Sequence, residues 1–180
     1  MPAIEKTDDI QQKARATKPV DAMDRKILGA LAEDAEQSYS DLGAKVGLSP
    51  PAVHERVKRL KADGRIQSVR AQLDGAAVGK PFLAFVHVDT KGWGKSEQLM
   101  ATERYPEVEE IHSVAGDTCM LLKVRVESSN ALEGLLSRLY DMPSVISTKS
   151  YVVLSTYLER PVQAGISPEL REMETLRPSG

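Results

Sequence analysis

The side chains best suited to chemistry lie on a segment that the sequence predicts to be a helix, from Ser49 to about Asp63. Its inner face is marked by three apolar residues spaced i, i+4 and i+7, which are Val53, Val57 and Leu60. Its outer face has small residues at the start and cations toward the end, and it gathers Pro51, Ala52, Glu55, Lys58, Arg59 and Ala62. Short side chains let a helix enter the major groove of DNA, and cations reach the phosphates. The pattern is typical of a recognition helix, although a solvated amphipathic helix has the same charged face.

The residues just before this helix predict a sharp turn between two helices. Gly47 is suited to the left-handed conformation that ends a helix. Ser49 stands where an N-cap belongs, and Pro50 falls at the first helical position, where its missing N–H costs nothing. We therefore expect a helix-turn-helix in which Ser49 caps the recognition helix.

Flanking segments extend this motif to a winged module. Helices are predicted over residues 21–34 and from Ser40 or Asp41 onward. Gly64 ends the recognition helix, and residues 66–71 alternate weakly, as a strand of a winged hairpin does. Together these elements predict a three-helix winged helix-turn-helix.

Positive charge is concentrated in this region. Residues 54–70 hold six cations against two acids. Residues 1–70 carry 13 Lys and Arg against 11 Asp and Glu, a net +2, whereas residues 71–180 carry 11 against 15, a net −4. The whole-chain pI of about 6.0 hides this local excess, which favours a nucleic-acid partner. The residues that we predict to contact double-stranded DNA are Ser49, Pro51, Ala52, His54, Glu55, Arg56, Lys58, Arg59 and Arg65. Arg56, Lys58 and Arg59 are expected on phosphates, the small residues and Glu55 near base edges.

The rest of the chain predicts a second domain. With 180 residues, of which 41% are hydrophobic, the chain suits one large or two small domains. We expect an arm over residues 1–19, the winged helix-turn-helix over residues 20–73, a linker over residues 74–80, a second domain over residues 81–159 and a tail over residues 160–180. In the second domain, period-two strands and apolar helical stripes follow the order β-α-β-β-α-β. This order predicts a ferredoxin-like sheet and an α+β fold class overall.

One face of that sheet is predicted to lack a cover. Two helices cover a single face, which leaves an apolar surface formed by Leu83, Phe85, Leu121, Tyr151 and Val153. Because exposed apolar patches usually mark interfaces, we expect a homodimer that packs sheet against sheet.

Catalytic and metal chemistry find no support in the sequence. Cys119 is the one cysteine, and its apolar setting suggests inert packing rather than redox sensing. The three histidines share no ligand spacing, and no nucleophile–base arrangement is evident. Neither a run of eighteen apolar residues nor a secretory signal is present. We expect a cytoplasmic protein that is no enzyme, has no membrane partner and needs no metal or cofactor.

Several short motifs in order resemble one family. In the first domain they are DRKIL at 24–28, VGLS at 46–49, ERVKRL at 55–60 and GRI at 64–66; in the second, VAGD at 114–117, LLKV at 121–124 and TKSYVV at 148–153. Over residues 20–158 the sequence resembles the Lrp/AsnC (feast/famine) transcriptional regulators. The resemblance implies a DNA-binding head and an αβ domain that dimerises and assembles further, commonly to octamers.

The same resemblance implies a small effector, usually an amino acid, bound between dimers. The residues that it places at the effector site are Ala115, Gly116, Asp117, Thr118, Thr148 and Ser150. Read without the resemblance, the Gly-Asp pair is a tight turn between strands. The expected function is a sequence-specific DNA-binding regulator controlled by an amino acid; the alternative is an architectural protein that wraps DNA with little specificity.

Overall fold

The computed structural model describes residues 19–91 and 97–168, which divide into two compact units. The N-terminal unit runs to Arg70 and includes the described residues from Arg160 onward, and the C-terminal unit spans Ala71–Glu159. The predicted arm, apart from residue 19, and the end of the predicted tail lie outside the described residues. Among the described residues, no helix is long and apolar enough to cross a membrane.

Three helices form the N-terminal unit: α1 (Ala22–Glu33), α2 (Tyr39–Val46) and α3 (Pro50–Ala62). The apolar side chains that periodicity placed inward meet in one core, made of Ile27, Leu42, Val46, Val53, Val57 and Leu60. The predicted three-helix arrangement is therefore confirmed. The predicted start of α2, at Ser40 or Asp41, is wrong. Ser38 is the N-cap, and its hydroxyl accepts a hydrogen bond from the Asp41 N–H at 3.1 Å.

The turn between α2 and α3 depends on close backbone approach. Gly47 has a φ of 76°, the left-handed value expected of it. The N–H groups of Gly47 and Leu48 both donate to the carbonyl of Gly43, at 2.8 and 2.9 Å. Ser49 occupies the N-cap position of α3, but its side chain makes no capping hydrogen bond. Pro51, the second residue of α3, lacks one of the two N–H groups that an N-cap side chain can bind.

The predicted wing is wrong. Residues 66–74 form no strand, and the side chains of Val69 and Leu73 are exposed. Only Ile66 packs against the helical core. A strand requires a neighbour that completes its hydrogen-bond ladder, and within the described N-terminal unit no second strand is present to supply one.

The C-terminal unit has the ferredoxin-like topology that was predicted. Its strands are β1 (Phe82–Thr90), β2 (Val108–Ser113), β3 (Met120–Val126) and β4 (Val145–Val152), and they form an antiparallel sheet in the order β2-β3-β1-β4. Its helices are α4 (Glu97–Met100), continued by a 3₁₀ turn (Ala101–Arg104), and α5 (Ser129–Tyr140). The first helix in the predicted order is thus short and partly 3₁₀.

The core of this unit lies on the helix-covered face. Alternate residues of β1 and β3 point into it, among them Val86, Val88, Leu122 and Val124. The residues predicted as a linker, 74–80, form a hydrogen-bonded turn of the C-terminal unit, in which the Asp74 carboxylate accepts from the Ala77 N–H at 2.9 Å.

A network of charges lies on the other side of the sheet. Lys123 and Arg125 project there from β3 and are largely buried. Arg125 is 2.7 Å from Glu109 and 3.2 Å from Glu159, and Lys123 also pairs with Glu159. Because β1 separates β4 from β3, the chain after β4 passes the start of β1 to bring Glu159 to its partners. Hydrogen bonding from Lys123, together with the charge of Arg125, lowers the pKa of Glu159 below its usual range.

Substitution of Gly43 tests the close approach in the turn. A Cβ at Gly43 would lie 2.5 Å from the backbone oxygen of Leu48, so Gly43→Ala is expected to destabilise the N-terminal unit by about 1–3 kcal/mol. Gly29→Ala is the control, because a Cβ there meets nothing within 4 Å, and it should leave stability unchanged or raise it by about 0.5–1 kcal/mol. Hydrogen exchange of α1–α3 peptides measures both. Equal protection in the two variants would contradict the close approach.

Glu159→Gln tests the charge network. A carboxylate whose pKa is lower in the folded than in the unfolded chain stabilises the fold above the unfolded pKa, about 4.3, and ceases to do so as the pH falls through the folded pKa. Because Glu159 is 37% exposed, we expect the loss at neutral pH to be at most about 1 kcal/mol. The difference in Tm from the natural sequence should therefore shrink below about pH 4. Glu133→Gln, on the exposed face of α5, is the control and should show no such difference. A Tm difference that persists undiminished in acid would refute the role of Glu159.

Candidate DNA-binding and effector sites

The recognition helix α3 is held to α1 by a buried carboxylate. The Asp24 side chain is only 8% exposed. Arg56 Nη1 donates to Asp24 Oδ1 at 2.7 Å, and Arg59 Nη2 donates to both carboxylate oxygens at 2.9 and 2.7 Å. Arg56 also donates to Asp21, the N-cap of α1, at 3.0 Å. The hydrogen bonds to Asp21 and Asp24 raise the pKa of Arg56 above its ordinary value.

This pairing divides the predicted phosphate contacts into two groups. Arg56 is 29% exposed and Arg59 is 51% exposed, and both guanidinium groups already bind Asp24. Lys58 and Lys61 are exposed on the same helix and, among the described residues, carry no ion pair. Of the three predicted phosphate-binding residues, Lys58 is therefore the one whose charged group has no ion-pair partner among the described residues. Arg65 lies half-buried after the helix, directly following Gly64.

The predicted base-reading residues lie on the outer side of α3. Pro51 and Glu55 are exposed there, and Ala52 is half-buried. His54 is also exposed, and its ring contacts that of Tyr39, the first residue of α2, with 5.5 Å between centroids. Sequence reasoning missed Tyr39, because a contact across fifteen residues has no periodic signal.

The predicted effector loop joins β2 to β3. It is closed by a hydrogen bond from the Val114 N–H to the Cys119 carbonyl at 3.1 Å. The Thr118 hydroxyl has two acceptors within reach at the end of β1, the Val88 carbonyl at 3.2 Å and the Asp89 carboxylate, so its one hydrogen holds the loop to that end of the strand. Ala115, Gly116 and Asp117 form the exposed or half-exposed tip.

The two predicted residues of β4 lie near this loop across the sheet. Thr148 pairs in register with Val88, which pairs in turn with Met120, and Ser150 lies opposite Val86, one step further from the loop. Since neighbouring strands are about 4.8 Å apart, Thr148 lies about 10 Å from the start of β3. The Thr148 N–H donates to the Tyr140 hydroxyl at 3.3 Å.

A carboxylate that sequence reasoning missed connects the two parts. The Ser147 hydroxyl donates to Asp89 Oδ2 at 2.6 Å. Hydrogen bonds from the Ser147 and Thr118 hydroxyls lower the pKa of Asp89, and the charge of Lys149 adds to the effect. Asp89 follows an apolar alternation in β1, and its position at the end of that run was the signal available. Groups of both charges thus surround the loop.

The predicted effector residues line neither of two surface cavities. One, of about 320 Å³, lies between Lys80 and Arg138, and the other, of about 470 Å³, lies beside Arg125. Among the described residues, no group of three His, Cys, Asp or Glu side chains could hold a metal ion. Cys119 is half-buried against the core, and its thiol is free.

The sheet face that was predicted to lack a cover exposes a different set of apolar residues from the one expected. Leu83 is already buried, whereas Tyr151 is half exposed and stacks against His87, with 4.9 Å between ring centroids. The apolar surface continues past β4, where Leu154 is 95% and Tyr157 is 97% exposed. We refer to Phe85, Leu121, Tyr151, Leu154 and Tyr157 as the open sheet face.

Both units match known family models. Residues 20–61 match the AsnC-type helix-turn-helix domain, and residues 83–163 match the Lrp/AsnC ligand binding domain. Among curated proteins, the HTH-type transcriptional regulator LrpA of Mycobacterium tuberculosis is 37% identical over 139 residues, covering 77% of this chain and 92% of that protein. The leucine-responsive regulatory protein of Escherichia coli is 36% identical over 149 residues, covering 81% of this chain and 91% of that protein.

Solved structures agree with these matches. A feast or famine regulatory protein from M. tuberculosis complexed with L-methionine has a TM-score of 0.75 and 34% identity, covering 82% of this chain and all of that one. AsnC of E. coli has a TM-score of 0.73 at 27% identity, covering 81% of this chain and 99% of that one. With an AsnC-type helix-turn-helix followed by a ligand-binding domain of matching fold, the chain belongs to the Lrp/AsnC family of transcriptional regulators.

Proposed function

We propose that this protein is a sequence-specific DNA-binding regulator controlled by an amino acid that binds where subunits of its oligomer meet. The observation that carries the proposal is the outer side of α3, where Glu55, His54 and Lys58 are exposed while Asp24 holds the opposite flank of the helix. A fixed helix with exposed polar side chains suits readout of base edges, and free lysines suit phosphates. The protein then acts in the cytoplasm as a regulator and not as an enzyme.

The effector is an α-amino acid, whose two charged groups need partners of both signs. The loop offers the Asp117 carboxylate and backbone N–H groups, and Asp89 and Lys149 lie beside it. The M. tuberculosis relative was solved with L-methionine, which supports this ligand class. The loop lies outside the two surface cavities described above, which favours a site completed by a second copy.

Assembly follows from the open sheet face. An apolar surface of this kind is stabilised by burial against a second copy, which gives a homodimer with two DNA-binding heads. Two heads bind two half-sites, and the second contact becomes effectively intramolecular. Dimers assemble further, with an octamer as the state that the family resemblance implies. The amino acid regulates by binding one assembly state better than another, with a coupling of about 1–3 kcal/mol.

Lys58→Ala and Arg59→Ala form a matched pair that tests the docking of α3. Each removes one phosphate contact, so each should weaken binding to all sequences and lower the slope of log affinity against log salt by about one unit. Arg59→Ala should also lower the stability of the N-terminal unit, because Asp24 loses one partner, while Lys58→Ala should not. Fluorescence anisotropy and hydrogen exchange measure the two effects. Wild-type affinity and slope in both variants would disprove this docking.

Anisotropy with the natural chain tests the proposal as a whole. The probes are its own upstream DNA and a shuffled control, titrated with salt, with and without individual amino acids. We expect tight, salt-sensitive and probe-selective binding that shifts with one amino acid. Equal affinity for both probes would instead favour the architectural alternative, and absence of binding to either would reject DNA as the partner.

A further inference from the structure

Two aromatic rings join the outer sides of α2 and α3. Tyr39 begins α2 and His54 lies in the second turn of α3. Their ring centroids are 5.5 Å apart and their planes meet at 63°, an edge-to-face arrangement. Such contacts are favourable and directional, so the Tyr39 ring restricts the orientation of an imidazole that would otherwise turn freely in solvent. Both side chains remain exposed on the side of the helix that faces away from the core.

The third member of this group is Glu55. Its Oε1 lies 3.3 Å from Nδ1 of His54. An ionised carboxylate only accepts hydrogen bonds, so in this contact Nδ1 carries the hydrogen. In the neutral imidazole, Nε2 is then unprotonated and accepts a hydrogen bond. A second proton converts Nε2 into a donor.

The groups that face the imidazole come from both helices. In the described part of the chain, the groups that contact it are Tyr39 from α2 and Glu55 from α3 itself, and Lys58 lies one turn further along α3. Histidine is the side chain that ordinarily changes charge between about pH 5 and 8.

The two protonation states match different bases in the major groove. Cytosine presents only the N4 donor, and guanine presents only the N7 and O6 acceptors on its major-groove edge; adenine presents both an N6 donor and an N7 acceptor, and thymine the O4 acceptor. With a neutral ring, His54 Nε2 and Glu55 are both acceptors and suit the amino group of cytosine. With a protonated ring, His54 offers a donor, which suits the two acceptors of guanine and not the amino group of cytosine.

We propose that Tyr39, His54 and Glu55 form a pH-dependent base-reading group, in which His54 selects cytosine when neutral and guanine when protonated. The inference rests on the proposed function, because it requires α3 to enter the major groove. Within that function it assigns a specificity-determining role to His54 and a positioning role to Tyr39. One position in each half-site then changes its preferred base as the pH falls.

The test is selection of binding sites from a randomised double-stranded DNA library by the full chain, at about pH 8 and about pH 5.5. We expect one symmetric position to change from cytosine at the higher pH to guanine at the lower pH. The change in relative preference should be about five- to tenfold. The remaining positions of the motif should stay the same.

Three variants separate this group from general effects of pH. His54→Gln should keep a motif but lose the change with pH, because an amide donates and accepts at both pH values. Tyr39→Ala should reduce the change and Tyr39→Phe should keep it, because phenylalanine retains the ring. His112→Gln is the matched control: it removes another exposed histidine beside a glutamate, with Nε2 2.8 Å from Glu110, and the change should persist.

The outcomes distinguish this inference from the function beneath it. A motif enriched by the natural chain that is identical at both pH values would overturn the inference and leave the proposed function intact. A change with pH that survives in His54→Gln would overturn it in the same way. Absence of any enriched motif at either pH would contradict sequence-specific binding itself, and the inference with it.

Discussion

The buried carboxylate of Asp24 is the interaction on which the geometry of the DNA-binding unit depends. An ionised group out of water is costly unless it is paired and hydrogen-bonded, and two arginines from α3 meet that requirement. Because Asp24 contacts both arginines only when α3 lies in one position along α1, these hydrogen bonds fix the direction in which the outer side of α3 points. The cations of α3 therefore have two roles. Arg56 and Arg59 hold the helix to Asp24, and Lys58 and Lys61 remain exposed to a ligand.

A different constraint governs the C-terminal unit. Its helices cover one face of the sheet, and the core is complete there. On the other face, Lys123 and Arg125 are largely buried and need acidic partners, which Glu109 and Glu159 supply. Meeting that need directs the chain after β4 past the start of β1. Leu154 and Tyr157 lie on the segment that leads to Glu159, and both are exposed.

The sequence predicted what local signals encode. Gly47 and Pro50 mark the turn, and apolar periodicity identified the inward faces of the helices and the succession of strands and helices along the chain, because each depends on residues close in the chain. The prediction of a wing was wrong for a physical reason. Alternation of apolar and polar residues over 66–71 does not supply the neighbouring strand that a hydrogen-bond ladder needs. Ser38 was missed as a cap because Ser40 and Asp41 are equally suited by type. The pairing of Asp24 with Arg56 and Arg59 spans 32 and 35 residues, and no periodic pattern reports it. The DNA-binding and effector residues remain predictions, placed but not tested by the structure.

The strength of the Asp24 contact bears on how an effector can act under the proposed function. Breaking a fully buried ion pair by removing one partner costs about 3–5 kcal/mol; here solvent screens the contact, because Arg56 is 29% and Arg59 is 51% exposed, and the cost is smaller. Coupling between an effector and a distant site is commonly about 1–3 kcal/mol. To reorient α3 within its own unit, an amino acid bound to the C-terminal unit would have to break the contacts of Asp24 with both arginines. It supplies enough free energy to change how subunits assemble, since weak interfaces shift with small differences in affinity. Regulation then alters which pairs of heads reach DNA together, while the bases that each head reads stay under the control of α3 and the protons on its side chains.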